Sequence, residues 1–368
     1  MKNLSMATSV SHKHLDGADS KKPILRCTNF SDMEPKDYDW LWPGMICKGK
    51  VHTIAGDGGI GKTTILLTIG ATITRGGIFE GEREPCKSQR VLYLSGEDDG
   101  DDTLMPRARA SGADLTKLEQ VPSQHGNEII SIMEHAGILE ETIKSYGDVG
   151  LFIIDPVTSF CGRNFQNNSP TDVRLVMSKL HQIASRTNVA IMVLTHLRKD
   201  TTGSMLSRLL GSGAWTHGAR VVMGVMKSPK HGFNILGKMK ANITDVDGCF
   251  AYTIETQNIE GLIQEVPYAD WINQTFYKTL SEMEEAEGDV SNYGEKTSLA
   301  CTVLSELLAD GKPHPYQDVR DACEKEGIRG STMKEAGKTL GVIKTRTNTM
   351  PSTTTWACLL YTSPSPRD

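Results

Sequence analysis

Residues 56–63 read GDGGIGKT and fill every fixed position of the pattern G-x-x-x-x-G-K-[ST]. Such a loop cradles the phosphates of ATP or GTP, because its glycines let successive backbone N–H groups turn toward one anion. A β-type run, residues 51–55, precedes the loop, and a helix-type run, residues 64–74, follows it. The start of that helix adds its dipole to phosphate binding, so the stretch predicts a nucleotide site between a strand and a helix.

The loop residues divide into phosphate ligands and a metal ligand. We expect Lys62 to reach the β- and γ-phosphates of ATP and the Thr63 hydroxyl to bind Mg²⁺. A Gly-rich turn could match the pattern by chance, but strand, loop and helix agree here with phosphate binding. The predicted nucleotide-contacting residues are Gly56, Asp57, Gly58, Gly59, Ile60, Gly61, Lys62, Thr63 and Thr64.

The composition indicates more than one domain and no overall affinity for nucleic acid. The 368 residues carry a net charge of -5 with a pI near 6.1, so any nucleic-acid contact must be local. We find no apolar run long enough to span a membrane and no signal peptide. The eight cysteines lack a CxxC pair, which argues against a zinc site or disulfides and favours a reducing, cytoplasmic location.

Strand-type runs alternate with helix-type runs, which predicts an α/β domain with a central, mostly parallel sheet covered on both faces. Two further β-type runs would be antiparallel strands at the sheet edge. The runs are residues 51–55, 91–95, 151–154, 190–194 and 220–225, followed by the edge candidates 233–242 and 250–255.

The predicted domains are unequal in size. An ATPase domain, residues 31–265, follows a disordered N-terminal segment, residues 1–30. Residues 266–294 are expected to be a linker, because their acidic stretch lacks apolar periodicity. Three short helix-type runs and a hairpin in residues 295–357 predict a small winged-helix domain. Residues 358–368 read CLLYTSPSPRD. A DNA sequence that resembles a widely used transposase sequencing adapter translates into these residues codon by codon, so we exclude them from the fold prediction as an artefact of sequencing.

Two apolar β-type runs end in acidic residues. Residues 151–155 read LFIID, and Asp155 fits the Walker B role of holding Mg²⁺. Residues 91–97 read VLYLSGE, so Glu97 fits the role of orienting the attacking water from a neighbouring strand. A solvated strand-end acid is the alternative for each, and one of the two acids after Glu97 could replace it.

Polar groups at the ends of parallel strands gather where ligands bind. His196, or Thr195 beside it, ends the run AIMVLTH and could sense the γ-phosphate, although a lone histidine is more often structural. The polar loops 161–170 and 198–213 follow two of these strands. They could line a pore and contact a phosphate backbone, or they could be ordinary surface loops.

Basic residues supply a second set of candidates. Arg220, Lys238 or Lys240 could act as a finger on ATP bound by a neighbouring subunit, or could serve as structural cations. A basic helix beside a basic wing suits phosphate contact, although a winged helix that binds protein is the alternative. The basic residues of that predicted helix and wing are Lys334, Lys338, Lys344 and Arg346.

The order of these motifs resembles RecA-fold AAA ATPases of the plasmid RepA helicase type. The stretches that carry the resemblance, between about residues 39 and 263, are DWLWPG, GDGGIGKTT, VLYLSGEDD, FIIDPVTSF, VLTHLRK and GSGAWTHGARVV. The resemblance implies a RecA-like P-loop fold, catalytic Glu97, sensor His196 and finger Arg220. It departs at Pro156, where many relatives have a second acid, so Asp155 would act alone.

These features predict Mg²⁺-dependent ATP hydrolysis coupled to DNA binding or translocation, as in a RepA-like replicative helicase of plasmid or phage type. The resemblance implies a homo-oligomer, a hexamer, with single-stranded DNA in its pore and duplex DNA at the winged helix. No membrane partner is expected. Two alternatives stay open: an ATP-switched replication initiator or recombination mediator without unwinding, and a signalling ATPase whose winged helix binds protein.

Overall fold

A computed structural model describes residues 27–197, 204–210, 214–228, 232–245, 248–291, 295–308, 312–340, 342–346 and 354–357. The predicted disordered segment lies outside the described residues up to residue 26, and the adapter-like end lies outside them entirely. The chain divides into two compact units, Met1–Asp37 and Tyr38–Asp368. The described part of the first unit contains a short 3₁₀ turn, Phe30–Asp32.

The second unit contains the strands and the longer helices. The described strands are β1 (Trp40–Trp42), β2 (Ile46–Cys47), β3 (Val51–Gly56), β4 (Arg90–Ser95), β5 (Leu118–Gln120), β6 (Gln124–His125), β7 (Glu128–Ile129), β8 (Val149–Asp155), β9 (Ala190–His196), β10 (Val221–Lys227), β11 (Asn234–Ala241), β12 (Cys249–Gln257), β13 (Val266–Phe276), β14 (His314–Pro315), β15 (Ile343–Arg346) and β16 (Thr354–Ala357). The described helices are α1 (Lys62–Arg75), α2 (Met105–Ala110), α3 (Ile132–Tyr146), α4 (Pro170–Thr187), α5 (Met205–Leu210), α6 (Ala214–Gly218), α7 (Leu280–Ser291), α8 (Glu295–Leu307), α9 (Tyr316–Lys325) and α10 (Gly330–Thr339).

A large sheet forms the centre of this unit. Within the described ranges it has nine strands in the order β13-β12-β11-β10-β3-β9-β8-β4-β5. The strands from β10 to β5 in that order run parallel, whereas β11, β12 and β13 add antiparallel strands at one edge. The predicted α/β class and the mostly parallel central sheet are therefore confirmed.

The chain leaves β3 toward β4 on one side and later passes from β9 to β10 on the other side. This reversal places a topological switch point between β3 and β9. In open α/β sheets, ligands bind outside the carboxyl ends of the strands at such a point. The predicted phosphate loop follows β3 at that edge, so the topology puts it where a ligand is expected.

The central strands divide their side chains between two apolar cores, one on each face of the sheet. Phe152 and Ile154 pack in the core that helices α3 and α4 cover, whereas Leu151 and Ile153 pack in the core that α1 covers. This alternation follows from the two-residue period of a strand. Because β8 is buried on both faces, its sequence is an unbroken apolar run, and the acid that ends it has a fixed position.

The structure differs from the predicted linker, residues 266–294. Its first part is β13, which pairs antiparallel with β12 along the sheet edge. Val266 and Ala269 of β13 are buried, and Trp271 and Phe276 pack at the margins of the two cores. Asp270 and Ile272 are exposed, as expected for an edge strand. Its second part is helix α7, which buries Leu280 and Met283 against the sheet behind an otherwise acidic sequence. The apolar positions are too few to give a periodic signal.

The C-terminal residues have an apolar core of their own. Helices α8, α9 and α10 pack around it with a small antiparallel sheet in the order β14-β16-β15. Trp356 is buried there, and a Cβ placed on Gly337 would lie 2.6 Å from its Cζ3 atom. The described residues between 295 and 357 thus contain three helices and a small sheet, and their assignment as a winged-helix domain stays a prediction. Across the described residues, no helix combines the length and apolar character that crossing a bilayer requires.

Candidate nucleotide-binding site

The phosphate loop joins β3 to α1 at the carboxyl edge of the sheet. Gly59 and Gly61 have φ values of 73° and 83°, which L side chains rarely adopt, so glycine is required at both positions. Helix α1 begins at Lys62, and its first turn contains no acidic residue. The unpaired N–H groups at the start of α1 are therefore available to an anion in the loop.

Lys62 is buried beneath the loop. Its Nζ atom donates to the carbonyl oxygens of Gly56 at 3.0 Å and of Asp57 at 2.7 Å. Burial lowers the pKa of Lys62, while nearby carboxylates, that of Asp155 first, act in the opposite direction. The ammonium is thus held next to the loop by groups that a phosphate can replace.

Asp155, at the end of β8, accepts two hydrogen bonds on one carboxylate oxygen. The Thr63 hydroxyl donates to its Oδ2 atom at 2.9 Å, and the Tyr93 hydroxyl donates to the same atom at 2.6 Å. Burial raises the pKa of Asp155, and these two hydrogen bonds oppose that rise. Burial, together with Asp155, also raises the pKa of Tyr93 well above its usual value.

Strand register explains this cluster. Tyr93 of β4 is paired with Ile153 of β8, and both belong to the core that α1 covers. Asp155 lies two residues beyond Ile153 and so faces the same side, where the first turn of α1 presents Thr63. Tyr93 was not predicted from the sequence. The clue in the sequence is a tyrosine within an apolar strand-type run, β4, which pairs with the strand that ends in Asp155.

Glu97 and His196 line the cleft that contains the phosphate loop, and both are exposed to solvent. Glu97 follows β4, His196 ends β9, and the His196 Nε2 atom is 3.8 Å from the Glu97 Oε1 atom. Both line a cleft of about 680 Å³ that also includes Lys62, Thr63 and Asp155. The structure therefore brings together the predicted loop, metal, water-orienting and sensor residues.

The predicted finger Arg220 lies elsewhere. It is exposed just before β10, and its N–H donates to the Val51 carbonyl at 2.9 Å, at the amino end of β3. It therefore lies at the sheet edge opposite to the loop of its own chain. Lys240 donates to the Thr216 carbonyl at 3.3 Å, and Lys238 is buried.

Two cations that the sequence motifs did not reveal line the cleft. Lys227 is exposed at the carboxyl end of β10, the strand next to β3. Arg107 of helix α2 lies 3.7 Å from the Asp98 carboxylate. Neither belongs to a motif, so only the strand order and the helix position could reveal them.

The two polar loops differ in how much of them is described. In loop 161–170, Asn167 accepts a hydrogen bond from the Trp215 indole at 3.0 Å, and Arg163 pairs with Glu128 at 3.1 Å. In loop 198–213, residues 198–203 and 211–213 lie outside the described residues, and helix α5 lies between them. Contact of either loop with a phosphate backbone stays a prediction.

The donor set fits a nucleoside triphosphate with a divalent ion. The loop offers N–H groups and an ammonium to phosphates, while the Thr63 hydroxyl and the Asp155 carboxylate would hold the ion. Among the described residues, no group of three or more His, Cys, Asp or Glu side chains could hold a metal ion by itself. Mg²⁺ in proteins usually keeps several waters and binds substrate phosphates beside one or two carboxylates, which agrees with this donor set. The fold and this site together define a P-loop ATPase.

Comparison with known proteins agrees with this class. The family described as "AAA domain" matches residues 23–202. DNA repair protein RadA of Listeria monocytogenes is 27% identical over 159 residues, which cover 43% of this chain and 30% of that protein. RadA of Streptococcus pneumoniae is 24% identical over 214 residues, covering 58% and 44% of the two chains. The chain thus spans less than half the length of these relatives.

A solved structure described as that of the RadB recombinase is also similar. It is 18% identical to this chain, covers 58% of this chain and 91% of its own length, and superposes with a TM-score of 0.43.

Proposed function

We propose that this chain is an ATPase of DNA recombination or repair, in which ATP binding and hydrolysis control its binding to DNA. The observation that carries the proposal is the cluster of Lys62, Thr63 and Asp155 around the phosphate loop, with Glu97 across the cleft. Such a cluster has the groups that phosphoryl transfer to water requires. The similarity to RadA proteins, which are named as DNA repair proteins, supports DNA as the partner.

The residues would divide the reaction among them. Lys62 would bind the β- and γ-phosphates, and Thr63 and Asp155 would hold Mg²⁺, which would supply positive charge to neutralise the phosphates. Glu97 orients the attacking water. His196, which lies 3.8 Å from Glu97 in the same cleft, would sense the γ-phosphate and report its state to loop 198–213, which follows it in the chain.

The DNA contacts that we propose lie on two parts of the chain. Loops 161–170 and 198–213 follow β8 and β9 at the edge of the sheet that holds the cleft. In the C-terminal residues, Lys334 of helix α10 is exposed. Lys344 of strand β15 is also exposed, with its ammonium 4.4 Å from the centre of the Trp356 ring. These two lysines would contact phosphates of duplex DNA in a winged-helix arrangement.

Oligomeric assembly is part of the proposal. Arg220 lies away from the cleft of its own chain, so it could meet nucleotide only on a neighbouring copy. A ring, and a hexamer in particular, would bring such a residue to each site. The same assembly would suit a RepA-type helicase, but the relatives named as DNA repair proteins favour the recombination mediator over the helicase and over the signalling ATPase.

The test is ATP turnover of the whole chain with and without single-stranded DNA. Glu97→Gln should lower the rate about 10²- to 10⁴-fold, as loss of a positioned general base or acid does. Lys62→Ala should abolish it. Asp101→Asn removes an exposed acid of the same segment that does not line the cleft, and it should leave the rate unchanged.

Three outcomes separate the candidate functions. Turnover that DNA stimulates, without strand separation, supports the recombination or repair ATPase. Strand separation that depends on ATP would favour the helicase instead. Turnover that neither single-stranded nor duplex DNA changes would contradict both and favour the signalling ATPase. Lys334→Gln with Lys344→Gln should weaken duplex binding and reduce its salt dependence, whereas Lys325→Gln on α9 should not.

A further inference from the structure

Helix α5 contacts the phosphate loop through an ion pair that the hydrolysis described above does not use. Both terminal nitrogens of the Arg208 guanidinium donate to the Asp57 carboxylate, and Nη1 lies 3.2 Å from Oδ2. The Arg208 side chain is 14% exposed, whereas that of Asp57 is 52% exposed. A two-point contact of this kind fixes orientation as well as distance, and it is stronger than a single hydrogen bond.

Asp57 occupies a sensitive position in the loop. Its carbonyl oxygen accepts a hydrogen bond from Lys62, and its carboxylate adds a negative charge to the loop that receives phosphates. Like charges repel, so an uncompensated Asp57 carboxylate would oppose nucleotide binding. Arg208 supplies the compensating charge and holds the start of the loop from outside.

The position of Arg208 is set by the sheet through a second helix. The Glu284 carboxylate of α7 accepts from the Met205 N–H, the first of α5, at 2.8 and 3.0 Å for its two oxygens. Leu280 of α7 packs so closely on the sheet that a Cβ on Gly224 would lie 2.5 Å from its Cδ2 atom. Helix α5 is therefore anchored at one end to α7 and joined by Arg208 to the loop.

We propose that Arg208 is a positioning residue of the nucleotide site, which neutralises Asp57 and links the phosphate loop to helix α5. The inference rests on the proposed ATPase function and deepens it, because α5 lies inside loop 198–213, where we propose that DNA binds. A ligand that moves α5 would then change nucleotide affinity. By linkage, nucleotide would change the affinity for that ligand by the same factor.

The test is a double-mutant cycle on the whole chain without DNA, with the dissociation constant of a fluorescent ATP analogue as the readout. Arg208→Gln should weaken binding about three- to tenfold, because it leaves the Asp57 carboxylate unpaired beside the phosphates. In the Asp57→Asn background the same change should have less than about a twofold effect, because no carboxylate remains to neutralise. Arg186→Gln breaks an exposed ion pair with Glu140 on α3 and should not change the affinity.

Two results of the cycle would overturn the inference. An equal loss of affinity in both backgrounds would mean that Arg208 acts on the phosphates directly and not through Asp57. No loss in either background would mean that the ion pair has no bearing on the site. Steady-state kinetics distinguish this role from general destabilisation. In Arg208→Gln the KM for ATP should rise, while kcat at saturating ATP should stay within about twofold of the wild-type value.

A DNA arm separates this inference from the proposed function. If single-stranded DNA tightens binding of the analogue in the wild type, Arg208→Gln should abolish that tightening. Equal tightening in both proteins would contradict the link through α5. If the wild type does not bind DNA at all, the proposed DNA function fails, and the cycle still decides whether Arg208 positions the loop.

Discussion

The Asp155→Asn variant should be more stable than the wild type without ligands and should have no ATPase activity. Asp155 is 6% exposed, and burial raises its pKa, so its ionised form is disfavoured in the folded protein. An asparagine amide at this position would keep an oxygen to accept the hydrogen bonds from Thr63 and Tyr93, and it would carry no charge. Active sites commonly trade stability for activity, and single stabilising substitutions commonly gain roughly 0.5–2 kcal/mol, so we expect a gain of that order.

The raised pKa of Asp155 determines how the stability difference between the variant and the wild type changes with pH. The folded-state pKa of Asp155 lies above its unfolded value of 3.8. Below that value the carboxyl is protonated in both states and contributes no difference. As the pH rises through the folded-state pKa, the folded protein must ionise a buried group, so wild-type stability falls relative to the variant. The gap should reach a plateau above the folded-state pKa and persist at pH 7.

Urea denaturation in EDTA between about pH 4 and 8 measures this gap. A variant that is less stable than the wild type at pH 7, or a gap that does not change with pH, would refute the reasoning. Addition of Mg²⁺ and a non-hydrolysable ATP analogue provides the control. The ligands should stabilise the wild type by mass action and stabilise the variant much less, because the metal ligand is lost.

Three further predictions concern single side chains. Tyr93→Phe removes the 2.6 Å hydrogen bond to Asp155 and should lower the metal-free stability by about 1.5–3 kcal/mol in urea denaturation. Trp42→Ala should cost about 3–5 kcal/mol in the same assay, because the indole is fully buried and stacks on Phe79 with ring centres 4.7 Å apart. Burial lowers the pKa of His52 to about 4, so stability should fall as the pH drops from 6.5 toward 4, and His52→Gln should flatten that part of the pH profile.

The parallel strands could be predicted because burial on both faces leaves a strong signal in the sequence. The run that became β8 is apolar throughout and stops at one acid, and the run that became β3 stops at the phosphate loop. Sequence reasoning therefore placed Lys62, Thr63 and Asp155 correctly at one edge of the sheet. Their joint position follows from the rule that parallel strands present their carboxyl ends together.

The edge of the sheet could not be predicted in the same way. Strand β13 has one neighbour and contains few buried side chains, so its sequence resembles that of a loop. Helix α7 packs Leu280 and Met283 against the core from a sequence that is mostly acidic, so its apolar signal is weak. Both elements are recognised from their tertiary contacts, and the periodicity of a short stretch of sequence carries no information about those contacts.

The cleft shows the same limit at the level of single residues. Tyr93 reaches Asp155 because two strands are paired in one particular register, and Lys227 enters the cleft because β10 lies beside β3. Arg208 meets Asp57 although the two residues are 151 positions apart in the chain. No motif spacing encodes such contacts, so they depend on the order of the strands.

Charge connects these residues. The carboxylates of Asp155, Asp57 and Glu97 all lie close enough to the Lys62 ammonium to oppose the lowering of its pKa by burial. In the proposed reaction Asp155 would hold the metal ion and Glu97 would orient the attacking water, and a bound ion would compensate their charges. Asp57 has no such role, and the Arg208 guanidinium lies where compensation is required. A chain that must bind a polyanion therefore neutralises an acid that the proposed chemistry does not use, and it does so with an arginine of helix α5.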